Sequence, residues 1–586
     1  MMRYLLSTGL LLAGLLPTSL LADCQPLEHP AQRLEALAQA THEDKLLQTP
    51  ALGLLTGEPI TALPALSLET TEAVAARSKQ RLKQLRCIDP AALTADERNS
   101  WYALQYALEQ ARDFAPHHRL RFDVTPYSLG LVMSSVLPVA LTSTPLDTPE
   151  AVHAQLALVS DLARYLDDMR ANLLLQMEAG IYMPQSTLPV ARGLLAAFEA
   201  QLPALLAIAP ERVAGLDAAA EQQLQEGLSA RLEGEIKPAL ERLLAVFDER
   251  YAARAPTALG LGQYAGGQAY YESLIYSYTN QRLTPREVHE LGLRYLADIE
   301  QRMGELQRAL GHAGDRASFQ QAMMENPRFY DRDEDAQLAR YRRYIHAMDA
   351  RLHEQFSLLP RAAYDVQRLE PAAEASITYG YYQPPVSPEG TGYFRFNGCC
   401  LDERPALWTA GLIYHELMPG HHLQVALNQQ NEALSRFRRG IIESAFAEGW
   451  ANYAAQLALE MGLLDDPYDE YGLLLLEAMS SARLVVDTGL NAMGWSSEQA
   501  AQFMREHTVS SETEIATELQ RYGMALPGQA LAYKLGKEYV LALRNRSREA
   551  AGEDWDPRVF HAQLLSVGML PLPVLQRHME SLYPAP

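Results

Sequence analysis

The sequence lacks the features of a nucleic-acid-binding or membrane-spanning protein. Lysine and arginine number 50 against 72 aspartates and glutamates, which gives a formal net charge of −22. This negative charge argues against nucleic acid and anionic membrane surfaces as partners. Beyond the N-terminus, no segment is apolar enough to cross a bilayer, and there is no internal repeat or low-complexity tract. Hydrophobic residues make up 48% of the 586 residues, which is enough for a sizeable core.

Cysteine is also scarce, since the chain has four. If the chain is exported, disulfides are permitted, and Cys24 and Cys87 form the natural pair because one lies near the mature N-terminus and the other closes a predicted helix. Cys399 and Cys400 are adjacent. They either form a vicinal disulfide or stay reduced, and we expect no catalytic role for them.

Residues 1–22 are typical of a secretory signal peptide. A basic start at Arg3 precedes an apolar run over residues 5–16, and Ala22 offers a small residue at the cleavage point. We therefore expect a periplasmic or secreted protein. The alternative is a lipoprotein anchored at Cys24, since the residues before it approximate a lipobox, although an aspartate directly before the cysteine disfavours this.

The run from His415 to His422 offers three imidazoles and one carboxylate. Imidazole nitrogens suit zinc, and Glu416 beside the first histidine suits a general base acting on water. In the ordinary H-E-x-x-H helix, the second ligand stands four residues after the first, but here that position is Pro419. On an unbroken helix, neither His421 nor His422 could share one metal ion with His415.

Pro419 and Gly420 could interrupt the helix and so bring a second histidine close to His415. Proline removes a backbone hydrogen bond and glycine tolerates unusual backbone angles. We predict a two-residue bulge that returns His421 to the place of the second ligand. His422 remains the alternative ligand or a neighbour that contacts the substrate.

Glu448 is the predicted third ligand for one zinc ion per chain. Its helix, over residues 445–458, is otherwise strongly apolar, and a buried carboxylate needs a cation or a metal. Glu443 is the competing ligand on the same segment.

These residues resemble the bacterial family called domain of unknown function 885. The resemblance covers most of the mature chain, and the motifs that carry it are His415–His422, Glu448–Tyr453, Arg483–Gly489 and Pro527–Lys534, with weaker similarity at 283–290 and 392–397. Members of the family look like thermolysin-clan zinc metallopeptidases. The resemblance therefore implies a large, mostly helical zinc-peptidase body. At Asn491 this chain departs from the family pattern, which has a histidine there, so any role of that histidine is in doubt.

Helical periodicity supports a mainly α fold. Apolar residues recur at spacings of three and four, with charged residues between them, over residues 71–87, 95–114, 149–179, 221–254 and 284–310. A glycine-rich segment at 260–267 is the best internal boundary. It separates an N-terminal helical region, residues 23–258, from a catalytic zinc-binding region, residues 259–586.

Residues 377–397 change character, because aromatic residues lie there among prolines. This pattern predicts a strand, a loop and a second strand. The segment precedes the histidine run, so we expect a small β-hairpin or sheet beside the metal-binding helix, with Tyr393 contacting the substrate. The alternative is a surface hairpin with aromatic packing.

Several further residues are candidates for the chemistry. Tyr533, in the motif at 527–534, is the predicted donor to the oxyanion that forms during hydrolysis. Arg483 stands four residues before Asp487 and either forms a helix ion pair with it or binds the terminal carboxylate of a peptide. Arg521 and Lys534 are rivals for carboxylate binding.

We therefore predict an exported zinc metallopeptidase that acts on short peptides. A carboxylate-binding arginine would make it a carboxypeptidase or dipeptidyl carboxypeptidase. The N-terminal half would wall off the cleft against folded proteins. The alternatives are a zinc amidase acting on a non-peptide or cell-wall amide, and a non-catalytic binding protein that retains the fold, which the intact Glu416 disfavours.

Overall fold

The computed structural model describes residues 29–142, 145–370, 374, 379–402 and 404–584, with the side chains of Leu54 and Ser135 left aside. The predicted signal peptide and Cys24 lie outside these residues. Helices dominate the described chain, so the prediction of a mainly α fold is confirmed. Within the described ranges, we find no helix with the length and apolar character needed to cross a bilayer.

In the described residues from 29 to 349, the regular elements are all helices. The α-helices are α1 (Pro30–Gln48), α2 (Gly53–Thr56), α3 (Leu68–Leu85), α4 (Ala95–Phe114), α5 (Leu129–Leu131), α6 (Leu137–Thr142), α7 (Pro149–Glu178), α8 (Leu188–Leu205), α9 (Ala218–Arg231), α10 (Lys237–Leu244), α11 (Glu249–Arg254), α12 (Gly267–Thr279), α13 (Pro285–Ala309), α14 (Arg316–Met324) and α15 (Glu334–Asp349).

A small sheet interrupts the helices, and a second helical series follows it. The later helices are α16 (Thr409–Glu416), α17 (His421–Gln430), α18 (Arg436–Arg439), α19 (Ser444–Glu460), α20 (Pro467–Ala492), α21 (Ser497–His507), α22 (Glu512–Gln520), α23 (Leu531–Ala551), α24 (Pro557–Ser566) and α25 (Leu572–Leu582).

Capping signals set several of the helix ends. The hydroxyl of Thr94 accepts a hydrogen bond from the backbone N–H of Glu97, whose carboxylate bonds back to the N–H of Thr94, and α4 begins at the next residue as predicted. The segment predicted as one helix over 221–254 is instead three helices, α9 to α11. A π-helical turn at 232–236 separates the first two, and Asp248 caps the third.

The sheet contains the predicted hairpin and one further strand. Strands β1 (Ala363–Arg368), β2 (Gly380–Gln383) and β3 (Thr391–Phe396) lie in the order β1-β3-β2. The hairpin strands β2 and β3 are antiparallel, with Tyr382 opposite Phe394. Strand β1 runs parallel to β3, with Ala363 opposite Thr391, and was not predicted.

Hydrophobic packing crosses the predicted boundary near residue 259. One buried cluster joins the N-terminal helices to Leu484 and Leu531 of the later helices. A second joins Trp101 of α4 to Trp450 of α19 and to the core face of β3. The N-terminal region therefore packs directly on the helices that carry the candidate site.

The described cysteines are oxidised. Cys399 and Cys400 form a vicinal disulfide just after β3. Cys87 is also disulfide-bonded, and its predicted partner, Cys24, lies outside the described residues.

Candidate metal centre

The predicted bulge in the histidine run is in fact a complete break between two helices. Helix α16 ends at Glu416 and α17 begins at His421, with residues 417–420 between them. Pro419 cannot donate a backbone hydrogen bond to the preceding turn, and its peptide bond is cis. The break lets His421 turn back towards His415, which a continuous helix would not allow.

Gly420 and Trp450 stabilise this break. A Cβ atom on Gly420 would lie 1.9 Å from the carbonyl oxygen of His415, so a larger residue would clash with the end of α16. From α19, Nε1 of Trp450 donates to the carbonyl oxygens of Pro419, at 2.9 Å, and of Gly420, at 3.2 Å. The indole thus satisfies the carbonyl of Pro419 and shares that of Gly420 with the backbone N–H of Gln424, which donates at 3.3 Å.

His415, His421 and Glu448 meet in one cluster. Each offers one ligand atom, and the three atoms lie within 4.8 Å of one another. The Nε2 atoms of His415 and His421 are 3.6 and 3.5 Å from Oε2 of Glu448. Ligand atoms around a tetrahedral zinc ion, with bonds of about 2 Å, lie roughly 3.3 Å apart. The two nitrogen–oxygen distances are close to this value, so these three residues could hold a zinc ion.

The two glutamates of the centre have opposite electrostatic properties. Burial opposes ionisation of Glu448, but the neighbouring rings of His415 and His421 outweigh it and hold the pKa of Glu448 well below its usual range. Burial raises the pKa of the Glu416 carboxyl to about 7, even though His415 partly compensates. Glu448 is therefore suited to hold a cation, whereas Glu416 is suited to take up and release a proton.

Asn452 lies behind His415. Its Oδ1 atom is 2.9 Å from Nδ1 of His415. An amide oxygen only accepts, so Nδ1 carries the proton and Nε2 keeps its lone pair for the cluster. The sequence motifs alone give Asn452 no role. The usable signal is its spacing, because it stands four residues after Glu448 and so lies on the same face of α19.

His422 points away from the cluster. It is buried, with Nδ1 3.0 Å from the hydroxyl of Tyr382 and Nε2 3.1 Å from the carbonyl oxygen of Ala362. Burial lowers the pKa of His422 to about 4, so its ring is neutral. Because both of its nitrogens have partners, His421 rather than His422 stands at the position of the second ligand.

Tyr382 on β2 forms the wall of the site next to the histidines. Its ring stacks on that of His421 with centroids 6.3 Å apart, and its backbone N–H donates to Glu416. Tyr393, the predicted substrate contact, lies on β3 next to Gly392. A Cβ atom on Gly392 would lie 2.7 Å from Nδ1 of His422, so Gly392 faces α17. Successive strand residues point to opposite faces. The structure therefore places Tyr393 on the other face of the sheet and brings Tyr382 to the site.

Tyr533 reaches the cluster from α23. Its ring is nearly parallel to that of His415, with centroids 6.2 Å apart. Two glycines make this approach possible, since a Cβ atom on Gly449 of α19 would lie 2.4 Å from the carbonyl carbon of Gly536 of α23. Burial raises the pKa of Tyr533 to about 12, so its hydroxyl keeps its proton and can donate.

Arg483 does not form the predicted ion pair with Asp487. Its Nε atom donates to the hydroxyl of Tyr522 at 3.0 Å, and its Nη2 atom donates to Glu518 at 3.2 Å. Asp487 instead accepts a hydrogen bond from the hydroxyl of Tyr271 at 2.6 Å. The two residues face different neighbours because helix α22 supplies Arg483 with a carboxylate from outside its own helix.

Asn491 lies in the core, outside the metal cluster. Its Nδ2 atom donates to the backbone carbonyls of Asp487, at 2.9 Å, and Tyr522, at 3.0 Å, while its Oδ1 atom accepts from the N–H of Leu261 at 2.9 Å. These bonds join three segments of backbone. The departure from the family pattern at this position therefore affects internal packing and leaves the ligand set intact.

Glu443, the competing third ligand, also lies outside the cluster. It occupies the residue before α19, and its Oε2 atom accepts from Nδ2 of Asn280 at 2.9 Å. Of the two acidic candidates, only Glu448 is brought to the histidines.

Comparison with known proteins supports the family and the fold. The family model described as a bacterial protein of unknown function (DUF885) matches residues 49–579. The fold is similar to the crystal structure of a candidate lipoprotein from Colwellia psychrerythraea, with a TM-score of 0.83, 24% identity, and coverage of 94% of this chain and 99% of the other. It is also similar to a candidate lipoprotein of unknown function from Shewanella oneidensis, with a TM-score of 0.72, 16% identity, and coverage of 93% and 99%. No curated protein matches the chain. Because the family model covers most of its length, the chain belongs to the bacterial family of unknown function DUF885.

Proposed function

We propose that the protein is a zinc-dependent metallopeptidase that hydrolyses short peptides. The observation that carries this proposal is the meeting of the ligand atoms of His415, His421 and Glu448 within 4.8 Å, with the buried Glu416 beside them. Zinc held by these three residues would supply a Lewis acid and lower the pKa of a bound water. The resemblance of the motifs to thermolysin-clan peptidases supports the same chemistry.

Glu416 is the group that transfers protons in this proposal. It takes a proton from the attacking water and delivers it to the nitrogen of the leaving amine. A pKa of about 7 suits both steps, because the carboxyl can be found in either state near neutral pH. The backbone N–H of Tyr382 donates to the carboxylate and orients it towards the site.

Tyr533 is the proposed hydrogen-bond donor to the developing oxyanion. When water attacks, the scissile carbonyl oxygen gains negative charge, and a fixed donor stabilises it. The guanidinium of Arg483 lies over the ring of Tyr533, with Cζ 5.0 Å from the ring centroid, and holds the ring in place. The proton remains on Tyr533 at neutral pH because its pKa is about 12.

The N-terminal helices favour short substrates. Tyr127 from this region lies against Arg521, with the guanidinium carbon 5.5 Å from its ring centroid, and Arg521 belongs to the charged surroundings of Tyr533. The N-terminal region therefore borders the site directly. A folded protein would have to pass between these elements, whereas a short peptide needs only a narrow cleft.

The substitution Glu416→Gln tests this function. The zinc-loaded wild-type protein should hydrolyse members of a short-peptide library, and Glu416→Gln should keep its zinc and lose about 10²–10⁴-fold in kcat. The exposed Glu498, which pairs with Arg505 on α21, provides the control, since Glu498→Gln should keep full activity. Failure of the zinc-loaded wild type to cleave any peptide would contradict the proposal and favour the amidase or binding-protein alternative.

We also propose that the protein works outside the cytoplasm. The signal-like residues 1–22 and the disulfide-bonded Cys87 support export. The mass of the mature protein tests this. A chain that begins at Asp23, with Cys24 bonded to Cys87, is the expected form. A chain that begins with a lipid-modified Cys24 would support the lipoprotein alternative, and an uncleaved chain would contradict export.

A further inference from the structure

Two arginines share one carboxylate beside Tyr533. Arg483 of α20 donates from Nη2 to Glu518 at 3.2 Å, and Arg521 donates from Nη1 to the same glutamate at 3.3 Å. In the part of the chain that the structure describes, Glu518 is the one carboxylate within ion-pair distance of either guanidinium. Arg483 and Arg521, which we call the arginine pair, therefore carry one positive charge more than the carboxylate that contacts them balances.

This excess charge is largely shielded from water. The side chains of Arg483 and Arg521 are 16% and 11% exposed. Burial opposes ionisation of Glu518, but the arginine pair outweighs it and lowers the pKa of Glu518 to about 2, so the whole cluster stays charged. A charge in such surroundings is costly unless an opposite charge accompanies it. The arginine pair thus has room for one further anion.

Arg521 has an unused hydrogen-bond donor among the described residues. Its Nε atom is buried and has no hydrogen-bond partner among the described residues. Arg521 also opens a π-helical turn, residues 521–525, that follows α22. Turns of this kind are frequent at functional sites. The guanidinium of Arg521 thus has a buried N–H group without a hydrogen-bond partner in the described chain and a charge that Glu518 only partly balances. Both features indicate a ligand with anionic oxygens.

The other candidates for anion binding are already occupied. Lys534 is buried and pairs with Glu477 at 2.9 Å and with Glu538 at 2.8 Å, so two carboxylates balance its charge. Arg483 uses Nε to bond Tyr522. Arg521 also donates, from Nη1 to Glu518 and from Nη2 to Gln529, but its Nε atom has no partner among the described residues, so within the arginine pair it has capacity for a new partner.

Tyr533 connects the arginine pair to the metal centre. Its ring centroid lies 5.0 Å from Cζ of Arg483 and 6.2 Å from the ring centroid of His415. One or two peptide residues in extended form span roughly 3.5–7 Å. Tyr533 also forms a side-chain hydrogen bond with Arg521, so a peptide whose scissile carbonyl lies at the metal centre would extend along Tyr533 towards the arginine pair.

We propose that Arg521, supported by Arg483, binds the C-terminal carboxylate of the substrate, so that the enzyme releases one or two residues from the C-terminus of short peptides. This inference rests on the proposed peptidase function. In the reaction, the C–N bond breaks, the oxygen of one water joins the acyl carbon, and a proton from that water goes to the leaving amine. The negative carboxylate balances the excess charge of the arginine pair.

Matched peptides with a free and an amidated C-terminus test the proposal. The zinc-loaded wild type should cleave the free acid with a kcat/KM about 100-fold higher than the amide, because the amide carries no charge for the buried guanidinium. The released product should be an amino acid or a dipeptide. Equal cleavage of both peptides, or cuts far from the C-terminus, would overturn this inference and leave the peptidase function standing.

Binding provides a readout that does not depend on turnover. In the Glu416→Gln variant, calorimetric titration with the same two peptides should give a Kd at least about tenfold lower for the free acid. Equal affinities, or no binding of either peptide, would overturn the inference. If the wild type cleaves neither peptide while the variant still prefers the free acid, the peptidase function fails and the carboxylate site remains.

Substitution of Arg521 tests whether this residue causes the preference for a free C-terminal carboxylate. Arg521→Met should reduce the preference for the free acid to less than about fivefold, and Arg521→Lys should retain part of it, since it keeps the charge. Arg505→Met removes an exposed arginine of α21 that pairs with glutamates, and it should leave the preference unchanged. Zinc content verifies that each variant keeps its metal centre. A full preference in Arg521→Met would overturn the assignment.

Discussion

Nδ1 of His415 donates a hydrogen bond to Oδ1 of Asn452 across 2.9 Å. This bond fixes the imidazole ring and its tautomer, so that Nε2 faces Glu448 at 3.6 Å. Helix α19 therefore supplies one candidate ligand, Glu448, and also the group that orients another. Such outer partners contribute strongly to metal affinity, because a ligand that is already oriented loses less freedom when the ion binds.

Asn452→Ala should weaken zinc binding without removing it. We expect the Kd for zinc to rise about 10–100-fold, because His415 loses the bond that selects its tautomer. Competition with a chromogenic chelator measures this change. Asn545→Ala, at an exposed position of α23, is the matched control and should bind zinc like the wild type. An unchanged affinity in Asn452→Ala would show that the bond does not orient the ligand.

Gly449→Ala should destabilise the protein by about 1–3 kcal/mol, because a Cβ atom there would overlap the backbone of Gly536 and push α19 from α23. Urea unfolding of the metal-free protein measures the change. Gly193 of α8 has open space around its Cβ position, so Gly193→Ala should instead stabilise by roughly 0.5–1 kcal/mol. Equal stability of the two variants would contradict the tight helix crossing.

Tyr533→Phe should lower kcat by about 10²-fold and leave KM and zinc content nearly unchanged, because the lost hydroxyl acts on the oxyanion and not on the bound substrate. Steady-state kinetics on a peptide that the wild type cleaves provides the measurement. Tyr539 lies on the same helix and donates to Gln576, so Tyr539→Phe is the control. A rise in KM alone would assign Tyr533 to substrate binding.

His561 should make the fold sensitive to acid. The ring is buried, with Nδ1 2.8 Å from the carbonyl oxygen of Gln355 and Nε2 2.7 Å from the hydroxyl of Tyr453. Burial lowers its pKa to about 4. Because the folded-state pKa is depressed, the stability from neutral His561 is present above the unfolded pKa of about 6.5 and is lost as the pH falls through about 4.

His561→Gln should reduce this acid sensitivity, since an amide can make both hydrogen bonds and does not titrate in this range. Between pH 7 and pH 4, the wild type should lose roughly 2–3 kcal/mol more unfolding free energy than the variant. Urea unfolding at both pH values measures this difference. The exposed His153→Gln control should follow the wild type. Parallel losses in all three proteins would refute the role of His561.

Features with local signals could be predicted from the sequence. The capping box at Thr94 gave the start of α4 because both partners lie within one turn. The histidine run and Glu448 indicated a candidate metal cluster because few residue types bind zinc, and the structure brings the side chains of His415, His421 and Glu448 together. The hairpin of β2 and β3 also has a local signal, because its strands are neighbours in sequence and both are rich in aromatic residues.

Features that depend on distant segments could not be predicted. Whether the step at Pro419 bulges or breaks the helix depends on Trp450, a residue of another helix. Helix spacing predicts an ion pair of Arg483 with Asp487, four residues later on the same helix. The actual partner, Glu518, lies on α22, and no local pattern indicates it. Strand β1 has no comparable signal, because it pairs with β3 in parallel and no tight turn joins the two strands.

Zinc content of three proteins tests the central claim most directly. Elemental mass spectrometry of the wild type should find about one zinc ion per chain. His421→Gln should lose it, whereas His422→Gln should keep it, because an amide can replace the bonds of His422 to Tyr382 and Ala362. No stoichiometric zinc in the wild type after zinc loading, or loss of zinc only in His422→Gln, would contradict the account.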